Sequence, residues 1–196
     1  MRMAYVFWHS PADASNDVRG YESNLNAFHR ALAELAPKGL LGLRMLRFER
    51  VEWLSSAVPV YEDTYFLSGF EALDALETAA VSPPLQEVHN GVARLVGTAT
   101  AGLYKLHSGQ WQLKPPLFAQ WFSKPAGVSY EALRQRFDGV SENFELWGRQ
   151  LVLGPTKEFC VRAHRLLELS DLQPEQAYVA TSSWSFGVDI DTQRTC

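Results

Sequence analysis

The chain has 196 residues, of which 46% are hydrophobic and 20% are charged, and its formal net charge is -4. This length allows one large domain or two small ones, and the apolar content is sufficient for a buried core. The weak negative charge, without a cluster of Lys and Arg, argues against nucleic acid as a partner. No apolar run of about 18 residues predicts a membrane span.

Two further features concern the compartment. The apolar N-terminal stretch, Met1 to Ser10, is too short for a secretory signal with a cleavage site, and it runs into a polar loop. The chain has only two cysteines, Cys160 and Cys196, which excludes a disulfide framework and fits a reducing compartment. We therefore predict a soluble cytoplasmic protein without a membrane partner, in which Cys160 is a small buried side chain rather than a nucleophile.

The first half of the sequence predicts the element order β-α-β-β-α-β. Tyr5 to His9 is an aromatic and β-branched strand, and a polar loop follows it. Apolar residues at helical spacing predict a helix from Tyr21 that ends before Pro37. The remaining predicted elements are two strands, a helix, a further short helix and a closing strand: Leu40 to Val51, Tyr61 to Ser68, Phe70 to Ala80, Leu85 to Leu95 and Val96 to His107.

The second half predicts the same order with a shortened second helix. Its predicted elements are a strand, a helix, two strands and a last strand: Leu117 to Phe122, Tyr130 to Phe144, Glu145 to Leu153, Glu158 to Leu169 and Tyr178 to Ile190. Between the last two strands, the Pro174 region predicts at most one helical turn.

Several residues recur in the same order on corresponding elements of the two halves. YVFWHSPA and QWFSKPAG share Trp, Ser, Pro and Ala with one insertion, so that Trp8 corresponds to Trp121. Tyr21 with Phe28 likewise corresponds to Tyr130 with Phe137. We predict a tandem duplication, with residues 1–110 as the first repeat and residues 111–196 as the second. The alternative is a chance similarity between two amphipathic α+β halves.

The order β-α-β-β-α-β is that of a ferredoxin-like unit. Together with the aromatic first strand, Phe28-His29 and the glycine-containing strand GLLGLRML, it resembles the dimeric α+β barrel superfamily, with its EthD-like, Dabb-like and antibiotic-biosynthesis monooxygenase-like members. The resemblance covers most of the chain but includes no catalytic motif. It implies an α+β fold in which two ferredoxin-like (βαββαβ) repeats pack their antiparallel sheets into a barrel. A pocket between sheet and helices would hold a small molecule, often without a cofactor.

Five histidines raise the question of a metal site, but none lies at ligand spacing from another His or Cys. A neutral imidazole that moves protons is the simpler proposal. By alternation Tyr5, Phe7 and His9 share one strand face, which places His9 at the mouth of an aromatic surface. His29 lies beside Phe28 at the edge of the first helix's apolar stripe. Each of the two is a candidate base, and the alternative for each is a structurally hydrogen-bonded histidine.

Arg44 on the second strand could bind a substrate carboxylate. It could instead pair with a polar residue of the third strand: Glu62, Asp63 or Tyr65. In the second half, Arg162 and His164 share one face of their strand, as a polar cluster or as its outer face. We predict catalytic roles for His9, His29 and Arg44, and no metal ligand. The predicted substrate-binding residues are Phe7, Tyr65, Trp121 and His164.

These residues predict a cofactor-independent enzyme acting on a small hydrophobic or aromatic substrate, of the monooxygenase, cyclase, isomerase or lyase type. One alternative is a non-catalytic ligand-binding or accessory protein of the same fold, and a second is a haem-binding or metal-binding protein. An enzyme requires at least two ionisable side chains converging in a closed pocket, whereas an accessory protein predicts a wholly apolar pocket or none. A homodimer of the chain is compatible with either.

Overall fold

The helices and strands below come from a computed structural model, which describes residues 2–12, 18–55, 59–111, 114–141, 143–150, 154, 156–169, 172, 174 and 176–187. In the first half they are β1 Met3–Pro11, α1 Val18–Leu35, β2 Leu40–Phe48, β3 Val60–Leu67, α2 Glu71–Ala80, α3 Pro83–Ala93 and β4 Val96–Gly109. In the second half they are β5 Phe118–Phe122, α4 Tyr130–Gln135, β6 Phe144–Arg149, β7 Phe159–Ala163, β8 Gln176–Val179 and β9 Ser182–Gly187.

The predicted elements are present, but the strand predicted to reach Val51 ends at Phe48, and four elements of the second half are shorter or divided. The strand predicted to reach Leu153 ends at Arg149. The helix predicted to reach Phe144 ends at Gln135. The strand predicted to reach Leu169 ends at Ala163, because the backbone N–H and C=O of Leu167 are bonded by the side chain of Gln120 instead of a neighbouring strand. The last predicted strand is divided into β8 and β9. Its predicted end, Ile190, lies outside the described residues, as do Leu153 and Cys196.

All nine described strands form one antiparallel sheet in the order β8-β5-β7-β6-β4-β1-β3-β2-β9. The first half contributes β4-β1-β3-β2, and the second half contributes β8-β5-β7-β6. In each set the fourth strand lies beside the first, and the third lies between the first and the second. This is the strand order of a ferredoxin-like unit, whereas duplication as its origin stays a prediction.

The sheet is strongly curled. β8 lies on β5 at one end of the strand order and β9 lies on β2 at the other, yet only two residues separate β8 from β9. The N–H of Ala180 bonds the C=O of Leu117 at 2.8 Å, and the N–H of Thr181 bonds the C=O of Arg47 at 2.8 Å. The two ends of the sheet therefore meet at these residues. The predicted α+β class with antiparallel strands is confirmed, and the structure shows one curled sheet.

The inner face of the curled sheet is an aromatic core to which both halves contribute. The rings of Trp8 and Trp121 are 5.8 Å apart, and both contact Tyr104. On the outer face, α1, α2 and α3 pack over the first half, with Leu32 and Leu76 buried beneath them. None of the helices in the described part of the chain has the length and apolar character of a membrane span.

The strand registers give corresponding positions in the two halves. Trp8 opposes Glu62, and Trp121 opposes Cys160. The same correspondence holds two residues before each tryptophan. In the first half, Val6 of β1 opposes Thr64 of β3, which opposes Arg44 of β2. In the second half, Ala119 of β5 opposes Arg162 of β7, which opposes Glu145 of β6. Arg44 and Glu145 therefore occupy the same place in the two strand sets.

Candidate functional site

A cavity of about 620 Å³ lies between the outer face of the first half and helices α1, α2 and α3. Because side chains alternate along a strand, Tyr5, Phe7 and His9 of β1 all turn to this face. Asp63 and Tyr65 of β3 stand opposite Phe7 and Tyr5 in the register. The helices contribute mostly apolar wall: Leu25, Phe28, Leu32, Leu76, His89 and Val92. The volume is within the range of about 300–1,000 Å³ usual for ligand sites.

A His-Asp-His cluster forms the polar part of the wall. Oδ2 of Asp63 is 3.1 Å from Nε2 of His9 and 3.0 Å from Nε2 of His29. The three residues come from β1, β3 and α1 and are at most 3% exposed. His9 and Asp63 line the cavity. At least two ionisable side chains therefore converge at one cavity that is otherwise mostly apolar.

Two tyrosines extend the cluster. The hydroxyl of Tyr21, in α1, is 2.6 Å from Nδ1 of His9. The hydroxyl of Tyr65 is 3.4 Å from Nε2 of His29. The ring of His9 makes stacked contacts with the rings of Phe7, at 5.1 Å, and Tyr61, at 5.7 Å. Hydrogen bonds and ring contacts thus fix the orientation of His9 within the fold.

The charges around the cluster favour an ionised Asp63 beside two neutral tyrosines, Tyr21 and Tyr65. Burial alone would raise the pKa of Asp63, but the charge and hydrogen bonds of His29 and His9 outweigh it and hold that pKa well below its usual range. Burial, followed by the charge of Asp63, raises the pKa of Tyr21 and that of Tyr65. Both phenols therefore keep their protons, and the hydroxyl of Tyr21 can donate a hydrogen bond to Nδ1 of His9.

Two buried acceptor atoms of the cluster remain open. Oδ1 of Asp63 and Nδ1 of His29 have no hydrogen-bond partner among the described residues. A buried acceptor without a partner is unfavourable by roughly 1–3 kcal/mol. A ligand that brings a donor, such as an O–H or an acidic C–H, would relieve this cost at Asp63.

The structure brings together some of the residues predicted as a site and separates others. Phe7, His9 and Tyr65 line the cavity, and His29 bonds Asp63 at its wall. Three others lie elsewhere: Arg44, Trp121 and His164. Trp121 is in the aromatic core on the inner face. His164 lines a small separate pocket in the second half, together with Lys114 and Asn143.

Arg44 belongs to a second polar cluster on the inner face of the sheet. Its two terminal nitrogens bond the two carboxylate oxygens of Glu145 at 2.8 and 2.9 Å, so the predicted partners on β3 were wrong. Arg162 pairs with Glu62 at 2.7 Å and is 2% exposed. The outer-face interpretation of Arg162 was therefore also wrong, since both faces of β7 are covered. These ion pairs connect the halves of the chain and do not reach the cavity.

Two residues of the cluster were missed as site residues by sequence reasoning, Asp63 and Tyr21. Alternation along YEDTYFLS does place Asp63 and Tyr65 on one face of β3. What the sequence lacks is the register that sets this face beside Phe7 and His9. Tyr21 stands at the start of the predicted helix, and only the helix's docking angle brings its hydroxyl to His9.

The corresponding positions of the second half carry apolar residues instead of these polar groups. In the same register, Phe122 stands where the first half has His9, Val161 where it has Asp63, and Ala163 where it has Tyr65. Phe122, Val161 and Ala163 are buried in an apolar cluster with Leu133 and Phe137. The described residues therefore hold a polar cluster of this kind in the first half alone.

No group of three His, Cys, Asp or Glu side chains in the described ranges has the arrangement of a metal site. In the cluster, both Nε2 atoms contact the same oxygen of Asp63. Both ring nitrogens of His9 are engaged, so a bond from His9 to haem iron would have to displace Tyr21 or Asp63. Cys160 is buried in the inner core, where burial first of all raises the pKa of its thiol to about 12.

No protein-family profile matches the sequence, and no curated protein matches it. Solved structures do. A proposed monooxygenase from Fusobacterium nucleatum aligns with a TM-score of 0.60 at 10% identity, covering 96% of each chain. A proposed monooxygenase from Lactobacillus acidophilus aligns with a TM-score of 0.59 at 10% identity, covering 96% of this chain and 98% of that one. An anthrone oxidase-like protein aligns with a TM-score of 0.52 at 8% identity, covering 95% and 94%.

At these identities the likeness shows the fold alone. The likeness covers nearly the whole chain at the level of the fold, and membership of the dimeric α+β barrel superfamily stays a prediction. Membership of the EthD-like, Dabb-like or antibiotic-biosynthesis monooxygenase-like families stays a prediction.

Proposed function

We propose that the cavity is the active site of a cofactor-independent enzyme that removes a proton from a small hydrophobic or aromatic substrate. One observation carries the proposal. An ionised Asp63, held by two imidazoles at the wall of a mostly apolar cavity, has one carboxylate oxygen without a hydrogen-bond partner among the described residues. Such a wall accepts hydrogen bonds and suits a substrate that is itself a proton donor.

His9, His29 and Asp63 titrate as one coupled system because they are in direct contact. The substrate's O–H or C–H bond breaks, its electron pair stays on the substrate, and the proton passes to the cluster. Asp63 stabilises the imidazolium that forms, as the aspartate of a hydrolase triad does. The apolar wall excludes water, which strengthens this interaction.

An oxygenase reaction follows from the same step if the substrate carbanion is electron-rich. The carbanion can pass electrons to O2 without a metal or a flavin. With anthrone as the substrate, the overall reaction is anthrone plus O2 giving anthraquinone plus water. The substrate is oxidised and O2 is reduced. Anthrone is a fitting probe because its C–H is acidic and because one structural neighbour carries its name.

We propose further that the two strand sets are ferredoxin-like repeats, residues 1–110 and 111–196, packed as a dimeric α+β barrel within one chain. Their common strand order supports this arrangement. We also keep the other expectations from the sequence as proposals. These are a cytoplasmic location, a small-molecule partner, and no nucleic acid, membrane or resident cofactor.

The test compares the wild type with Asp63→Asn, using anthrone in buffer that contains a metal chelator. Without O2, proton abstraction is measured as deuterium exchange at the acidic C–H of anthrone in D2O. With O2, anthraquinone formation and O2 uptake are measured. We expect both rates to fall by about 10²- to 10⁴-fold in the variant, the usual contribution of a positioned acid-base group.

The matched control is Asp74→Asn, the same change at an exposed position of α2, which should keep the wild-type rates. Exchange without oxidation would replace the oxygenase by an isomerase or related proton-transfer enzyme. Equal exchange in wild type and Asp63→Asn would overturn the proposal. If anthrone then still quenched tryptophan fluorescence in a saturable way, the binding protein would be the remaining function.

A haem protein is tested separately, by titration with haemin. We expect no saturable shift of the haemin absorbance band that depends on His9, because both of its ring nitrogens are engaged. A shift that disappears in His9→Gln, in His29→Gln or in His89→Gln would favour the haem-binding alternative, since Nδ1 of His29 is open and His89 lines the cavity.

A further inference from the structure

The two histidines of the cluster differ in what their ring nitrogens contact. In His9 both are engaged, Nδ1 by the hydroxyl of Tyr21 at 2.6 Å and Nε2 by Asp63 at 3.1 Å. In His29, Nε2 contacts Asp63 at 3.0 Å, whereas Nδ1 has no hydrogen-bond partner among the described residues. The two side chains are equally buried, each at no more than 1% exposure.

The donor and acceptor roles follow from the chemistry of the partners. An ionised carboxylate only accepts hydrogen bonds, so Asp63 takes an N–H from Nε2 of each histidine. A neutral His9 with its proton on Nε2 must accept at Nδ1, and Tyr21 supplies the O–H. Burial and the charge of Asp63 raise the pKa of Tyr21, which keeps that proton on the phenol.

We infer that Tyr21 locks His9 as a hydrogen-bond donor to Asp63, so that His9 positions the carboxylate and His29 is the histidine left to accept a proton. Tyr21 and His9 are thus positioning residues, and the inference rests on the proposed function. The proton that leaves the substrate forms a new N–H bond at Nδ1 of His29, while the electron pair stays on the substrate. The positive charge on the ring is balanced by Asp63.

The packing around His9 agrees with a fixed donor. Its ring makes stacked contacts with those of Phe7 and Tyr61, at interplanar angles of 29° and 14°. A flip of the imidazole that exchanged its nitrogens would break both hydrogen bonds inside the fold. His29 does not itself line the cavity, but it contacts two residues that do: its helix neighbour Phe28, with ring centroids 5.7 Å apart, and Tyr65, whose hydroxyl is 3.4 Å from Nε2.

The first test is spectroscopic and needs no substrate. The protein is labelled with 15N-histidine, and the signals of His9 and His29 are assigned by their loss in His9→Gln and His29→Gln. Long-range correlation of ring protons and nitrogens then shows which nitrogen carries the proton. For neutral His9 we expect a proton on Nε2 and a hydrogen-bonded, unprotonated Nδ1. Tyr21→Phe should shift the Nδ1 signal of His9 and leave that of His29 in place.

The second test uses conservative variants and the anthrone exchange assay. A glutamine amide can donate to Asp63 as Nε2–H does, but it cannot take up a proton. His9→Gln should therefore stay within about tenfold of the wild type, while His9→Leu should lose roughly 10- to 150-fold, the equivalent of one hydrogen bond to a charged group. His29→Gln should lose about 10²- to 10⁴-fold, as expected for a proton acceptor.

A proton on Nδ1 of His9 in the spectrum, or a larger loss in His9→Gln than in His29→Gln, would overturn the inference. Either result would leave the proposed function standing as long as Asp63→Asn abolished exchange. If Asp63→Asn exchanged like the wild type, the proposed function itself would fail, and the spectrum would still decide the tautomer of His9.

Discussion

Asp63 is the residue on which the candidate site depends, since it contacts both histidines and lines the cavity. Alternation along β1 predicts that Phe7 and His9 share a face, and the helix pattern places His29 beside Phe28. Asp63 joins them only because it opposes Phe7 in the register between β1 and β3. Register depends on the packing of both faces, so the histidines could be predicted from sequence while their shared carboxylate could not.

The acid sensitivity of the fold should depend in part on Asp63. Its pKa is lower in the folded protein than in the unfolded chain, so its stabilising contribution is fully present above the unfolded value, about 3.9, and is lost as pH falls through the folded value. We expect Asp63→Asn to reduce the free energy of unfolding by roughly 1–3 kcal/mol at neutral pH. The difference from the wild type should shrink near pH 3.

The measurement is urea unfolding at both pH values, with Asp74→Asn on the exposed side of α2 as the control. A difference between wild type and Asp63→Asn that stayed constant, or grew on acidification, would contradict the direction of this pKa shift.

At the scale of elements, periodicity predicted which residues are buried better than it predicted where elements end. Phe137 fits the helical spacing of the second half and is 2% exposed, yet the helix ends at Gln135. After it, Phe137 and Val140 bond the carbonyls three residues earlier, Arg134 and Phe137, in tight turns. Successive turns keep nearly the same face toward the core, so the sequence pattern cannot distinguish them from a continued helix.

The junction of β4 with β6 should be sensitive to the glycine at its end. Gly109 has φ +77°, and a Cβ at this position would overlap the carbonyl oxygen of Phe144. Gly127 has nearly the same φ, +76°, with nothing within 4 Å of an added Cβ. Gly127→Ala should therefore cost only the conformational term of about 1–2 kcal/mol. Gly109→Ala should cost clearly more, because it also displaces the β6 backbone.

Thermal and urea unfolding of the two variants measure this difference. Equal losses would show that β4 and β6 can separate at Gly109 without penalty, contrary to the contact described above.

At the scale of the whole molecule, buried ion pairs join the two halves. Arg44 and Glu145 are 101 positions apart in sequence and stand at corresponding places in the two strand sets. Burial by itself would raise the pKa of Glu145, but Arg44 outweighs it and lowers that pKa. A paired Arg44 could be predicted from the sequence, but a partner in the other half could not, because only the curl of the sheet brings Glu145 to it.

Removing one partner of the Arg44–Glu145 pair should destabilise the fold, because the other charge is then buried without its partner. Arg44→Met leaves Glu145 without its bidentate partner and should reduce the free energy of unfolding by about 3–5 kcal/mol. Arg47→Met is the matched control on the same strand. Its pair with Glu22 is partly exposed, at 31% and 19% for the two side chains, and should contribute about 0–1 kcal/mol.

In urea unfolding, the double variant Arg44→Met with Glu145→Met should recover much of the loss, because no charge is then left unpaired. The N–H of Trp147 loses its acceptor in this variant, so the recovery should be incomplete. A loss in Arg44→Met no larger than that in Arg47→Met would contradict the role assigned to the buried pair.

The opposite charges at these matching places also determine how two molecules could combine. If two chains exchanged their second halves, each first half would still meet a second half, and Arg44 would again find a glutamate. Association of like halves would set arginine against arginine in the centre of the sheet. A dimer in which two chains exchange their second halves would therefore keep each Arg44 paired with a Glu145, whereas a dimer of like halves would not.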